Sequence, residues 1–368
     1  MSPTSNVLLE FDPAAASLGN GKPLSDGLSV AAQLGETLWV ANDETLSLER
    51  LTLAPGAGLA ARALGHVSFP LADYLDLPVP PSTAPDKREE ADLEGLAYVD
   101  GVLWLTGSHS LKRKTPRPGD GPEKARKQLA RIGNDGNRFL LARIPVVEEH
   151  GTWHPVRQSA ASFAARLDGD GRGDSLTEAL AGDEHLAPFL GIPGKDNGFD
   201  IEGLAVAGER IFLGLRGPVL RGWAVILELE PHARAPSTLE LKPIDAGRPY
   251  LKHFLHLGGL GIRDLCRHDD GLLILAGPTM DLDGPVHVLR WPGGAKKHKK
   301  GELIPATGLQ TVLDIPYGQG VDHAEGMTLF SSERNEKPAL LVVYDAASER
   351  RKRGEHGVLA DIFPLPAN

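Results

Sequence analysis

One short phrase recurs along this chain and limits what the chain can become. Asp92-Leu93-Glu94-Gly95-Leu96 opens an apolar run that turns back through Val102-Leu103-Trp104-Leu105. Asp200-Ile201-Glu202-Gly203-Leu204 does the same ahead of Ile211-Phe212-Leu213, and His323-Ala324-Glu325-Gly326-Met327 ahead of residues 339–344. Fainter copies begin at Asp26-Gly27-Leu28 and at Ile262-Arg263-Asp264-Leu265. Each copy is a short apolar strand, a tight turn rich in Gly, Asp or Glu, and a second apolar strand, which is the pattern of a β-hairpin. A third apolar segment follows in most copies, at 47–53, 139–146, 224–229, 286–291 and 358–363. A lone meander cannot bury both its faces, whereas meanders packed radially can. The expected fold is therefore all-β: one β-propeller of about five blades.

The anchors at 26, 94, 202, 263 and 325 are spaced by 68, 108, 61 and 62 residues. The long interval leaves room for a sixth blade, but it holds no sixth copy of the phrase. Two insertions account for its length instead. Residues 112–131 form a basic insertion with a helical pattern over 122–131. Residues 168–190 form a Gly/Asp loop followed by a short helix at about 175–180. Residues 7–11 read as a strand able to complete the last blade beside 358–365, hiding an edge and closing the ring. Nothing in the composition splits the chain, so residues 1–368 are expected to form one domain.

Composition narrows the function classes. Gly (43) and Pro (29) are too many for a helical bundle. A net charge of −10 argues against a nucleic-acid partner. With Cys266 alone, no intramolecular disulfide and no Cys-based zinc site can form. No long apolar run and no secretory pattern is visible, so no membrane partner and a cytoplasmic location are expected. G-x-S-x-G, H-E-x-x-H, G-x-G-x-x-G after a strand and the Walker loop are all absent. That disfavours the common serine-hydrolase and zincin routes and leaves no nucleotide or flavin cofactor expected.

In a propeller the first strand of each blade lines the axis, and residues two apart face the same way. Asp92 and Glu94 thus point together, as do Asp200 and Glu202, with Glu325 and Asp26 at comparable places and Arg263 at the Glu position of the fourth copy. Such acids at one mouth must share protons, pair with cations or bind a metal. All-oxygen ligands suit Ca²⁺ or Mg²⁺, so Glu94, Glu202, Glu325, Asp26, Asp92 and Asp200 are candidate metal ligands. The bland reading stands beside this one. The glycine permits close strand approach and the glutamate staples neighbouring blades through backbone N–H groups. Residues leaving the second strands belong to the same mouth: Asn42, Asp43, Ser108, His109, Arg216 and Thr279. His109 is the candidate general base. Arg216, Arg263, Ser108 and Asp43 are candidate substrate contacts.

Residues 112–131 carry eight cations against Asp120 and Glu123 and read as a solvated insertion or as a lid that draws an anion. Residues 168–174 match the first half of a calcium loop, but Arg172 takes a ligand place and Ala179 the twelfth.

On the Glu-Gly-Leu and Glu-Gly-Met copies and Arg263-Asp264-Leu265, the chain resembles a bacterial family known only as domain of unknown function 3616. It also resembles, more distantly, the esterase-like phytase propellers. The second likeness implies metal-assisted phosphoester hydrolysis. The Glu-Gly strand opening is also similar to that of calcium-dependent lactonase propellers, where such a glutamate ligates metal. The partner expected is a small, anionic ligand, hydrolysed as a phosphoester or lactone. The rival reading is a non-catalytic scaffold for a protein partner.

Overall fold

The structure, a computed structural model, describes residues 2–18, 21–54, 61–82, 90–280, 282–331 and 338–366. Alternating short apolar runs and turns build antiparallel meanders in chain order. Blade I is Leu28–Leu34, Thr37–Asn42, Ser47–Ala54 and Ala61–Pro70. Blade II is Leu93–Val99, Val102–Gly107, Leu141–Glu149 and Ala165–Leu167; blade III is Asp200–Ala207, Arg210–Gly217, Trp223–Leu229 and Tyr250–His256. Blade IV is Gly261–His268, Gly271–Gly277, Val286–Trp291 and Gln310–Ile315. Blade V is His323–Phe330, Ala339–Asp345 and Gly357–Pro364, completed by the N-terminal strand Ser5–Glu10. The first strands of the five blades touch in sequence and the fifth touches the first, so the ring is closed.

Five apolar clusters fill the five seams between neighbouring blades. This is why the inner strands read as near-continuous apolar runs rather than alternating ones: both faces of each sheet are covered. Blade III's first two strands are buried at nearly every position.

The 108-residue interval holds no sixth blade. Its length is taken up by the loop between the second and third strands of blade II, which carries helix α1 (Pro122–Leu129), and by α2 (Ser175–Leu180) before blade III. Sheet edges are covered by borrowed strands. Ser237–Leu241 lies parallel on the outer strand of blade II, Leu303–Ile304 on that of blade III, and residues 7–9 on that of blade I. Neither helix among the described residues is long and apolar enough to cross a membrane.

Candidate functional site

All five inner strands slip by one residue at the same place. Opposite its second strand, each has one residue too many: Ser29, Glu94, Glu202, Arg263 and Glu325. A β-bulge of this kind bends the strand and re-aims the extra side chain. Five bulges stand around one axis, and they turn Glu94, Glu202 and Glu325 into the cavity at one mouth, with Arg263 paired to two of them. This corrects the register expected for the first copy. Ser29, three residues after Asp26, holds the glutamate's place in blade I, and Asp26 is not among the residues lining the mouth cavity.

The residue after the bulge explains the glycines. A Cβ on Gly95 would stand 2.5 Å from Leu204 Cβ, and one on Gly326 would stand 2.7 Å from the Ser29 carbonyl oxygen. Inner strands converge here too closely for a side chain. Blade IV alone has a carboxylate at this position: Asp264, which accepts the backbone N–H groups of Leu265 and Met327, each at 2.7 Å. Ser29 Oγ donates to the Leu93 carbonyl at 2.5 Å. Stapling through backbone groups thus falls to Asp264 and Ser29, whereas Glu202 and Glu325 link their blades to blade IV through Arg263.

The mouth opens into a cavity of about 960 Å³ with Glu94, Glu202, Glu325, Asp92 and Asp200 on its floor. Three arginines enter this acidic field. Arg138 pairs with Asp92 at 2.9 Å. Arg216 pairs with Glu202 at 2.7 Å and lies 4.0 Å from Asp200. Arg263 pairs with the other oxygen of Glu202 at 3.1 Å and with Glu325. Charge neutralisation is uneven as a result. Glu94, 9% exposed, has no hydrogen bond and no ion pair among the described residues. Burial first, and then Glu202, Asp92, Asp43 and Asp200, push its pKa well above the carboxylate range. Burial, with Asp92 and Asp345 nearby, raises Asp43 to about 8, and one of its oxygens is buried without a partner. Asp200 is raised to about 7 by burial and Glu202, against the pull of Arg216. The mouth therefore holds carboxyl groups that burial pushes toward their protonated form beside others that are paired with arginine.

The structure brings Asp43 and Arg216 to this mouth, with the Arg216 guanidinium also donating to the Thr279 carbonyl at 2.9 Å. Asn42 is spent on local bonds to the Leu24 and Asp26 carbonyls and the Glu44 N–H. Ser108 is fully buried beside Ser110, 3.0 Å between hydroxyls. His109 lies outside the cavity lining. Its Nδ1 bonds the Gly107 carbonyl at 3.0 Å and its Nε2 the Asp174 carboxylate at 2.8 Å. With acceptors on both nitrogens, the ring is an imidazolium. Burial alone would lower its pKa, but Asp174 outweighs that and raises it. Asp174 belongs to the stretch that resembles a calcium loop; here it caps α2 in a capping box with Thr177.

Three residues at the mouth lie outside the pattern legible in the sequence. Asp345 leaves the second strand of blade V where Asp43 leaves that of blade I, two residues past the partner of the post-bulge position. Aligning the two hairpins would find it. Arg138 ends a short 3-10 helix and Glu90 lies in an irregular segment, and neither carries a sequence signal.

A candidate metal cluster lies elsewhere. Among the described residues, Glu228, His253 and His298 are the group whose ligand atoms fall within 4.8 Å of one another. The Glu302 N–H donates to His253 Nδ1 at 3.2 Å, so the proton sits on Nε2, which donates to Glu228 at 3.0 Å. A metal on Nε2 would need that proton on Nδ1, facing another N–H. Arg210, 3.4 Å from Glu228, opposes a cation further. The cluster reads as a hydrogen-bonded triad. The mouth carboxylates form no comparable preassembled cage.

Fold and site together define a five-bladed β-propeller with a buried, mixed-charge centre at one axial mouth. The chain belongs to the family described as protein of unknown function (DUF3616), whose profile matches residues 27–361. No curated protein matches it. Among solved structures it is similar to the glutaminyl cyclase of Myxococcus xanthus (9% identity, all of both chains covered, TM-score 0.38). It is also similar to a candidate 6-phosphogluconolactonase of Bacteroides uniformis (12%, 91% of this chain and 70% of that one, TM-score 0.32). The major allergen Mala s 1 of Malassezia sympodialis is a third (11%, 95% and 80%, TM-score 0.38).

Proposed function

We propose that this protein is a small-molecule hydrolase that cleaves a lactone or phosphoester at the axial mouth by carboxylic acid–base chemistry. The observation that carries this reading is Glu94, a buried acid without a partner among the described residues, aimed into a cavity. A carboxylate kept for structure would be bonded, as Asp264 is. Left neutral, Glu94 is poised to give its proton to the leaving oxygen as the C–O or P–O bond breaks. Asp200, raised to about 7, suits the base that takes a proton from the attacking water. The new bond forms to that water's oxygen, and the proton returns from Asp200 to Glu94 to reset the site. Arg216 and Arg138 face the charge that develops on the substrate oxygen. Calcium or magnesium, the ions the resemblance implies, would use the same carboxylates, but their atoms do not converge into a cage and no step here needs one.

Purified protein assayed against aliphatic lactones and aryl phosphates tests this. Turnover of one class is expected, depending on groups titrating near 7 and 8. Glu94→Gln should lose at least about 100-fold, the lower end of what general acid catalysis supplies, with no fall in Tm. Absence of turnover, or full activity in Glu94→Gln, would leave the protein-binding scaffold as the better reading. Turnover that requires added Ca²⁺ or Mg²⁺ would mean that the cage assembles on binding.

A further inference from the structure

Large exposed apolar side chains among the described residues are not scattered. Seven stand out, and five of them border the same mouth. Leu129 and Ile132 sit on the lip made by the basic insertion. Met280, Leu282 and Tyr317 line a side pocket of about 230 Å³ between blades IV and V. Lys195, Arg216, Glu325 and Asp345 line both this pocket and the main cavity, so the two adjoin.

The side pocket is built rather than slack. Thr279 Oγ1 donates to Asn197 Oδ1 at 2.9 Å, which ties the blade IV loop to the segment ahead of blade III. Arg216 grips the same loop through the Thr279 carbonyl. Asp283 Oδ1 accepts the Gly320 N–H at 2.9 Å and lies 3.2 Å from His323 Nε2, which ties that loop to the one carrying Tyr317. Held this way, the loops keep Leu282 60% and Tyr317 49% exposed.

Charge indicates what such a pocket receives. Lys114, Arg117, Arg131 and Lys195 line the cavity, and none has an ion pair or a side-chain hydrogen bond among the described residues. These four cations without ion pairs stand around the opening above its acidic floor, on a chain of net charge −10, and offer contacts to an anionic group. Lys195 stands where the apolar side pocket meets the cavity, with Lys114, Arg117 and Arg131 beyond it, an arrangement that complements a molecule with an apolar arm and an anionic head.

We infer that the substrate is an amphipathic organic anion. Its apolar chain or ring lies in the side pocket between blades IV and V, and its anionic group meets Lys195 and the basic lip. This rests on the mouth being the substrate site, and a binding measurement separates the two claims. Calorimetry on the full chain would compare octyl phosphate, inorganic phosphate and octyltrimethylammonium. One octyl phosphate per chain is expected, at least tenfold tighter than phosphate, with no saturable binding of the ammonium. Leu282→Asp and Tyr317→Ala should each weaken octyl phosphate at least fivefold without changing phosphate binding, and Lys195→Glu should weaken both. Leu303→Asp, at an equally exposed apolar site on the outer edge of blade III, should change nothing. Octyl phosphate binding no tighter than phosphate, or weakened as much by Leu303→Asp, would overturn the inference. If octyl phosphate binds as expected to both wild type and Glu94→Gln while no substrate is turned over, the pocket stands and the hydrolase reading falls. Turnover without octyl phosphate binding would keep the hydrolase and remove the amphipathic pocket.

Discussion

Asp43 and Glu94 have nearly the same chemistry as Asp92, Glu202 and Glu325, yet they differ in their partners, because the arginines of the mouth reach only some of the acids. Arg138, Arg216 and Arg263 take up Asp92, Glu202 and Glu325. Glu94 and Asp43 bear the burial cost without an ion pair among the described residues, and Asp200 has Arg216 only at 4.0 Å. The sign of the pH effect follows. Asp43, at about 8 in the fold against 3.8 in the unfolded chain, binds more protons when native between those values. Its contribution is therefore retained at low pH and lost as pH rises from about 4 to 8. Asp43→Asn should flatten that part of the stability–pH curve and be at least as stable as wild type at pH 9. Urea titrations at pH 5, 7 and 9 would show this, and an unchanged slope would count against a buried neutral Asp43.

At the scale of elements, five bulges at one register do what no strand could do alone: they bring residues from across the chain to one opening. The bulge is visible only once the two strands of a hairpin are aligned, which is why the sequence pattern points to Asp26 and the structure to Ser29. Helix α2 shows a second coupling. Asp174 caps its N-terminus and at the same time holds the His109 imidazolium. His109 is raised and Asp174 lowered, so their joint contribution is fullest between the unfolded values of carboxylate and imidazole. It fades as pH rises through the folded pKa of His109 or falls through that of Asp174. Asp174→Ala strands a buried cation and uncaps the helix, with an expected cost of about 3–5 kcal/mol. Asp174→Asn should keep the cap and lose less. Chemical denaturation of the two variants at pH 5.5 would rank them, and equal losses would deny the charge a role.

For the whole molecule, closure rests on a short strand. Residues 5–10 pair with 362–357 in blade V and, through 7–9, with 61–63 of blade I, so one segment bridges two blades across the seam where the ring closes. Val7 and Leu9 are fully buried there. Deleting residues 2–10 removes that burial, about 1.5–3 kcal/mol for each of the two side chains, and exposes two sheet edges. The expected result is a large drop in Tm, or aggregation, by differential scanning fluorimetry and light scattering. A variant that kept the wild-type Tm would show that the ring closes without this strand.

The amino-acid sequence by itself determined the repeat, the five blades, the positions of the third strands and of α2, and the gathering of Glu94, Glu202, Glu325 and Arg263 at one end of the axis. These follow from local apolar pattern and from a period that any radial packing must respect. Only the tertiary structure decided which acid meets an arginine, that His109 is locked onto Asp174, and that apolar side chains from the basic insertion and from blade IV share a lip with cationic side chains. Such facts depend on distances of a few ångströms between segments far apart in the chain. Electrostatic and burial energies change sharply over those distances, and neither pattern nor spacing along a sequence encodes them.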